Sequence, residues 1–357
     1  MTTEPLAVTA IDFQVIEHEL TLPFAIATGG METARAVITR VELADGTVGL
    51  GESAPFPAVS GETVESTLDA LRRVAPAVVE HGELTDAMAG ALADAPAARC
   101  GIEQALLDAR LRAAGQSLAD WLPPAVTAIE TDITLPVAPL TTALAFADDV
   151  VGRGFRTLKV KVGRHAPADD LTLLRELHAS HPGLELLLDA NAAYDPTTAR
   201  ELLRGLDAAD VPIALLEQPL PREAIADAAA LQRETDVPIC LDESLRSLAD
   251  LDAIRAFPEL RSINVKTMKL GLAPAVEILR RAADSGLTCM VGAMVESNLS
   301  ITVSAALAMH HADVVRHVDL DTALFMRPGP ITGGVTYRGP LIELAPDLPG
   351  HGCRLRR

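Results

Sequence analysis

The sequence predicts an α/β chain in which an N-terminal α+β module precedes a closed, parallel β/α barrel. Two observations carry the prediction. From residue 130 onward short apolar runs alternate with helical segments, the pattern of parallel strands joined by crossover helices. The runs TDITL, RTLKVKV, LELLLDAN, IALLEQP, PICLDES, SINVKTM, TCMVGAM and VVRHVDLD make eight. Their pitch is near-regular: 28 residues separate Lys161 from Asp189, another 28 lead to Glu217, then 25 to Asp242 and 24 to Lys266. One unit of a β/α barrel takes about that length. Neither a GxGxxG after the first strand nor a GxxxxGK[ST] occurs, so a nucleotide-binding open sheet has no support.

Taken in order, residues 7–20 and 34–43 are β-branched and roughly alternating, so both read as strands, the second closed by the turn Ala44-Asp45-Gly46. Between them TLPFAIATGGMET, with its Gly29-Gly30 pair, reads as a mobile loop. A second irregular stretch, GESAPFPAVSGET, follows a short strand. Helical periodicity then covers 62–80 and 96–114. These features set an α+β module at 1–125 and the barrel at 126–322. The tail, 323–357, carries the strand-like ITGGVTYRG and LIELAP and is expected to return to the first module.

Composition narrows the partners. With 49% hydrophobic residues a large core is available. A net charge of −19 and only 3% aromatic residues argue against nucleic acid and against an anionic membrane surface. Cys100, Cys240, Cys289 and Cys353 form no CxxC pair, so neither a disulfide framework nor a zinc site is expected. The N-terminal stretch has no basic n-region with an apolar run behind it, and no run of 18 apolar residues occurs. The expected setting is the cytoplasm.

Five barrel runs stop on a charge: Lys161, Asp189, Glu217, Asp242 and Lys266. In a barrel the C-terminal strand ends converge on one mouth. One such Asp would read as a helix N-cap, but five in register do not. Buried charges must pair or hold a metal. Three carboxylates from successive strands suit a hard divalent cation, and magnesium is the natural choice because no His or Cys is offered there. Such a cation would grip a substrate carboxylate and stabilise the charge left when the neighbouring carbon loses its proton. Lys159 and Lys161, at i and i+2 of one strand, face the same side. Their proximity, near a metal, is expected to lower the pKa of one toward neutrality. Lys266 comes from across the barrel, so two bases on opposite faces of one carbon imply racemisation or epimerisation. Lys269 reads as a solvated loop residue, and His310-His311 as structural. Asp319 and Asp321 of HVDLD share one face, away from the metal candidates, and either bind a substrate ammonium or pair with Arg316 or Arg327. Glu296 is a candidate polar contact.

Together the KxK of LKVKVG, the Asp of LLLDANAAYD, the Glu of LLEQP, the Asp of CLDES and the Lys of INVKTMK resemble the enolase superfamily in its muconate-lactonizing-enzyme subgroup, over essentially the whole chain. That resemblance implies a (β/α)7β barrel with an α+β capping domain and a homo-oligomer. It implies magnesium at Asp189, Glu217 and Asp242, acid/base lysines at Lys161 and Lys266, and a substrate-supporting Lys159. HVDLD is similar to the pair that holds the N-terminal ammonium in dipeptide epimerases, L-Ala-D/L-Glu epimerases among them. The implied reaction is inversion of the C-terminal residue's α-carbon by two-base proton transfer through a metal-stabilised enediolate. The alternatives that keep the site are an N-acylamino acid racemase, an o-succinylbenzoate synthase or a muconate-type cycloisomerase. Some Ala-Glu epimerases place an Arg in the first capping loop; here Ala27-Thr28-Gly29-Gly30 stands there, which points to hydrophobic or cationic second residues.

Overall fold

The computed structural model describes residues 6–26, 29–345 and 347–356. The chain opens with three antiparallel strands, β1 (Val8–Ile26), β2 (Gly29–Leu43) and β3 (Val48–Ser53). The loop expected over 21–33 is largely strand, since Phe24, Ala25 and Ile26 pair with Met31, Gly30 and Gly29. A register shift between Glu19 and Phe24 makes this feasible. It contains Pro23, which has no N–H for the ladder, so pairing skips it and resumes beyond. Ala27 and Thr28, on which the second-residue expectation partly rests, lie outside the described residues. The first long helix, Val64–His81, starts at a Thr63/Ser66 capping box and stops at a left-handed Gly82. The second, Pro96–Ala113, begins on its proline. It lies so close to β3 that a Cβ on Gly49 or Gly51 would run into its backbone.

After the short strand β4 (Ala128–Glu130) come the eight parallel strands, one for each apolar run. They are β5 (Ile133–Leu135), β6 (Thr157–Lys161), β7 (Glu185–Asp189), β8 (Leu215–Glu217), β9 (Ile239–Leu241), β10 (Ser262–Val265), β11 (Thr288–Gly292) and β12 (Val315–Asp319). The sheet closes where the residues before β5 meet β12. Asp132 N donates to Val318 O at 2.9 Å, and Leu320 N donates to Thr131 Oγ1 at 2.9 Å. Helices connect each successive pair of strands, which gives a (β/α)7β barrel. Strand periodicity aims the functional groups: Leu187, Leu215, Cys240 and Met290 form an apolar plug inside the barrel. Two residues on, and therefore facing the same way, stand Asp189, Glu217, Asp242 and Gly292 at the C-terminal mouth.

The tail forms β13 (Ile331–Thr332), β14 (Thr336–Arg338), β15 (Leu341–Glu343) and β16 (Arg354–Leu355). β13 pairs with β16, while β15 pairs with β4. Cys353 packs in one cluster with Ile16, Ala36 and Ile38 of the first sheet. All four cysteines are buried and free. Among the described residues no helix is long and apolar enough to cross a membrane.

Candidate active site

The five strand-end charges do converge. Lys161 Nζ lies 2.6 Å from Asp189 Oδ2, and Lys266 Nζ lies 2.9 Å from Asp242 Oδ2 and 4.0 Å from Glu217 Oε1. Register explains the convergence: Lys161 is opposite Asp189 across β6 and β7, and Asp189 is opposite Glu217 across β7 and β8. Lys159 sits deeper, 1% exposed, with its Nζ 2.7 Å from Glu217, 3.2 Å from Asp189 and 2.6 Å from Asp319. Gly292 leaves the space that Lys266 and Asn264 fill, since a Cβ there would strike both side chains.

The field inside this cluster is strong. Burial pushes Asp189 up, but Lys161, Lys159 and Lys266 outweigh it and hold the carboxyl well below the usual range. Burial likewise raises Asp242, and Lys266 and Lys269 more than reverse it. Glu217 is raised by burial and then by Asp189. At Lys159 burial works to lower the ammonium, yet Asp319, Glu217 and Asp189 outweigh it and hold it well above the ordinary value.

Several further expectations are corrected by the packing. Lys269 is not a solvated loop residue: it is 1% exposed and its ammonium bonds the carboxylate and carbonyl of Asp242 and the carbonyl of Asn264. Residues 267–270 form a single helical turn, which swings Lys269 beneath Lys266. Asp319 is not remote from the three strand-end carboxylates, because Lys159 joins it to Asp189 and Glu217. Among the described residues neither Asp319 nor Asp321 pairs with an arginine: Asp321 Oδ2 accepts Thr134 N at 2.6 Å, and Arg327 pairs with Glu19. The polar contact expected from Glu296 is a brace instead. Its side chain is fully buried and its Oε1 accepts Met294 N at 2.7 Å, behind a wall formed by Ala293, Met294 and Val295. His310, as expected, is structural, bonding the Pro123 carbonyl at 2.7 Å and stacking edge-on against His311.

Three contributors escaped the sequence. Asp132 is 2% exposed and its carboxylate, with those of Asp319 and Asp321, places oxygens within 4.8 Å of one another. Gln218 ties the Glu217 and Asp242 loops together: its Oε1 accepts Asp242 N at 2.9 Å and its Nε2 donates to Ser244 Oγ at 2.9 Å. It adopts a strained φ of 32° to do so. Asn264 Nδ2 donates to Glu217 Oε1 at 2.7 Å. Only the TDITL strand start and the LLEQP run hinted at the first two.

A cavity of about 30 Å³ opens onto Lys161, Asp242, Lys266, Asp319 and Asp321, with Phe56 and Val59 of the N-terminal module as its roof. A far wider hollow of about 600 Å³, beside Arg200 and Glu234, lies among the residues that lead into β8 and β9, at the opposite end of the barrel from these groups. The donor set Asp189, Glu217 and Asp242 is all carboxylate and suits a hard cation. Beside it, Asn191 Oδ1 and Glu243 Oε2 are buried with no hydrogen-bond partner among the described residues, as oxygens facing a cation or its water would be.

Comparison with known proteins agrees with this geometry. Residues 10–122 match the family described as mandelate racemase / muconate lactonizing enzyme, N-terminal domain, and residues 142–357 match the enolase C-terminal domain-like family. The aromatic dipeptide epimerase of Herpetosiphon aurantiacus is 38% identical, covering 98% of this chain and 99% of its own. A substrate-liganded L-Ala-D/L-Glu epimerase from Bacillus subtilis superposes with a TM-score of 0.90 at 30% identity, over 98% of this chain and 99% of that one. A dipeptide epimerase from Enterococcus faecalis, complexed with Mg and the dipeptide L-Leu-L-Tyr, gives a TM-score of 0.90 at 28% identity, over 98% of this chain and 99% of that one.

Proposed function

Since the chain belongs to the mandelate racemase / muconate lactonizing enzyme family of the enolase superfamily, we propose that it is a magnesium-dependent dipeptide epimerase. It inverts the α-carbon of the dipeptide's C-terminal residue. The observation that carries the reading is one small cavity lined by Lys161, Lys266, Asp319 and Asp321 together. Two of those groups, Asp319 and Asp321, suit the ammonium of a dipeptide, and the two lysines are left for its α-carbon.

Asp189, Glu217 and Asp242 would hold the magnesium. When bound, it supplies the positive charge that makes a proton next to a carboxylate removable. Lys159 sets the carboxylate's position from below. One of Lys161 and Lys266, as free amine, takes the α-proton on its side and becomes an ammonium. The other, already an ammonium, gives a proton to the opposite face and ends as the amine. One C–H bond breaks, one forms, and the configuration inverts. Asp319 and Asp321 take the N-terminal ammonium, which sets a free dipeptide apart from an acylated amino acid. Phe56, Val59, Ala293, Met294 and Val295 give the cavity an apolar side, set against the polar Thr134, Asn191 and Thr322, and a second residue lying on that side would be apolar. Names of relatives such as aromatic dipeptide epimerase support that choice.

The test is deuterium uptake. The protein is incubated with magnesium and pooled L,L-dipeptides in D2O, and α-deuterium is read by mass spectrometry. Uptake concentrated in dipeptides with Leu, Phe or Tyr second, abolished by EDTA, is expected. Uptake in acylated amino acids alone would transfer the site to the racemase or synthase alternatives.

A further inference from the structure

Three buried carboxylates meet behind the proposed ammonium site, and they are not balanced alike. Asp319 has the Lys159 ammonium at 2.6 Å, and Asp321 has the Thr134 N–H at 2.6 Å. Asp132, 2% exposed, has a partner for neither of its oxygens among the described residues. All three present oxygens within 4.8 Å of one another. The nearest ammonium, Lys159, is already shared with Asp189 and Glu217. Asp319, Asp321 and Thr134 line the cavity while Asp132 stands outside its wall.

We propose that Asp132 is a positioning residue that stands behind the ammonium site as a neutral carboxylic acid, its O–H donating to the Asp319–Asp321 pair. This rests on the reading of that pair as the ammonium site. An ionised Asp132 would add a charge against Asp319 and Asp321 with no donor to receive it, which burial opposes. As an acid it does the reverse. It supplies a hydrogen bond that fixes the two carboxylates and leaves them free to face the incoming ammonium. Its backbone already holds it in register, because Asp132 N donates to Val318 O one residue before Asp319. In keeping with this, burial pushes its carboxyl well above the usual range, with Asp319 and Asp321 adding to the effect and Lys159 opposing it. Asp321 is raised as well, to about 7, by burial and then by Asp319, whereas burial's upward push on Asp319 is outweighed by Lys159, Lys266 and Lys161, which hold it low.

Asp132→Asn and Asp132→Leu discriminate the roles, because an amide can donate to the pair as the acid does and an alkyl chain cannot. With a free dipeptide, D132N is expected to keep KM within threefold of the parent, whereas D132L raises it tenfold or more with kcat little altered. An equal rise in both variants would mean that a negative charge at 132 is what matters; no rise in either would mean that Asp132 plays no part. Each outcome overturns the proposal. An infrared difference spectrum of the parent against D132N at neutral pH should show the carbonyl band of a protonated acid, and its absence also overturns the proposal. That spectrum needs no substrate, so it judges the proton at Asp132 even if no dipeptide is turned over and the ammonium reading falls.

Discussion

Lys161 and Lys266 line the same cavity, and each meets a different carboxylate, Asp189 and Asp242. Two-base chemistry therefore predicts an asymmetric defect. Lys161→Ala should keep α-proton exchange for one epimer of a dipeptide and lose it for the other, and Lys266→Ala should show the complementary pattern. Proton NMR in D2O, run separately on the L,L and L,D forms, reads this directly; identical losses in both variants would refute the scheme. Lys269 supports a second prediction at this scale. It is a buried ammonium bonded to Asp242, and removing one partner of such a pair costs about 3 kcal/mol or more. Lys269→Met should lower the urea stability by that amount. A change within about 0.5 kcal/mol would return it to the class of solvated surface residues. The comparison also shows where the sequence is legible. Lys161, Asp189, Glu217, Asp242 and Lys266 stood out because each ends an apolar run and a strand's alternation fixes its direction. Lys269 did not, because a one-turn helix, too short to leave a periodic pattern, decides where it points. Asp132 was hidden for another reason: it precedes its strand, and only barrel closure against β12 brings it to Asp319.

At the scale of elements, the eight strands were readable because a parallel sheet covered on both faces writes itself as separate apolar runs. The strands at 8–20 and 34–43 were readable too, but the tip of their hairpin was not, since Gly and Pro signal a loop and only cross-strand pairing overrides them. The segment between the first module's sheet and its helices illustrates what packing adds. Glu62 is 4% exposed, its Oε2 accepts Ala97 N at 3.1 Å, and its Oε1 has no partner among the described residues. Burial lifts its carboxyl from 4.5 to about 7, against the opposing N–H groups of Ala97 and Ala98 and the charge of Arg246. The folded chain therefore binds a proton that the unfolded chain releases between these values. Its contribution to stability is complete below pH 4.5, fades as pH rises, and is gone above pH 7. Glu62→Gln, neutral throughout, should match the parent near pH 4.5 and exceed it at pH 8 by no more than about 3 kcal/mol. Parallel pH–stability curves for the two proteins would show that Glu62 ionises normally.

For the whole molecule, the decisive quantity is the cavity. At about 30 Å³ it has room for a water or two, whereas small-ligand pockets run to about 300 Å³ and more. A dipeptide can enter only if the roof lifts. Most of the N-terminal module cannot lift, because it is anchored through a buried carboxyl group. Glu52 of β3 accepts Ser297 N at 3.0 Å, Ser297 Oγ at 2.7 Å and Ser300 N at 3.2 Å, capping a barrel helix. Gln104 adds a bond to Ser300 Oγ, and Met268, Met294 and Leu299 of the barrel pack into one cluster with Ile38 and Leu50. Motion must therefore fall on the rim. There Arg246, four residues past Asp242, donates from Nη2 to the carbonyl of Val59 at 3.3 Å and so ties the roof segment to the loop that follows β9. At that length it contributes no more than an ordinary hydrogen bond, about 1 kcal/mol. If the closed roof is the state that grips the substrate, Arg246→Ala should weaken closure by that amount and raise KM for an apolar dipeptide about fivefold. Thermal stability should stay close to the parent's, because Glu52 and the apolar cluster still hold the module in place. An unchanged KM in steady-state assays would mean that the roof closes by its own contacts, and that Arg246 merely rests against it.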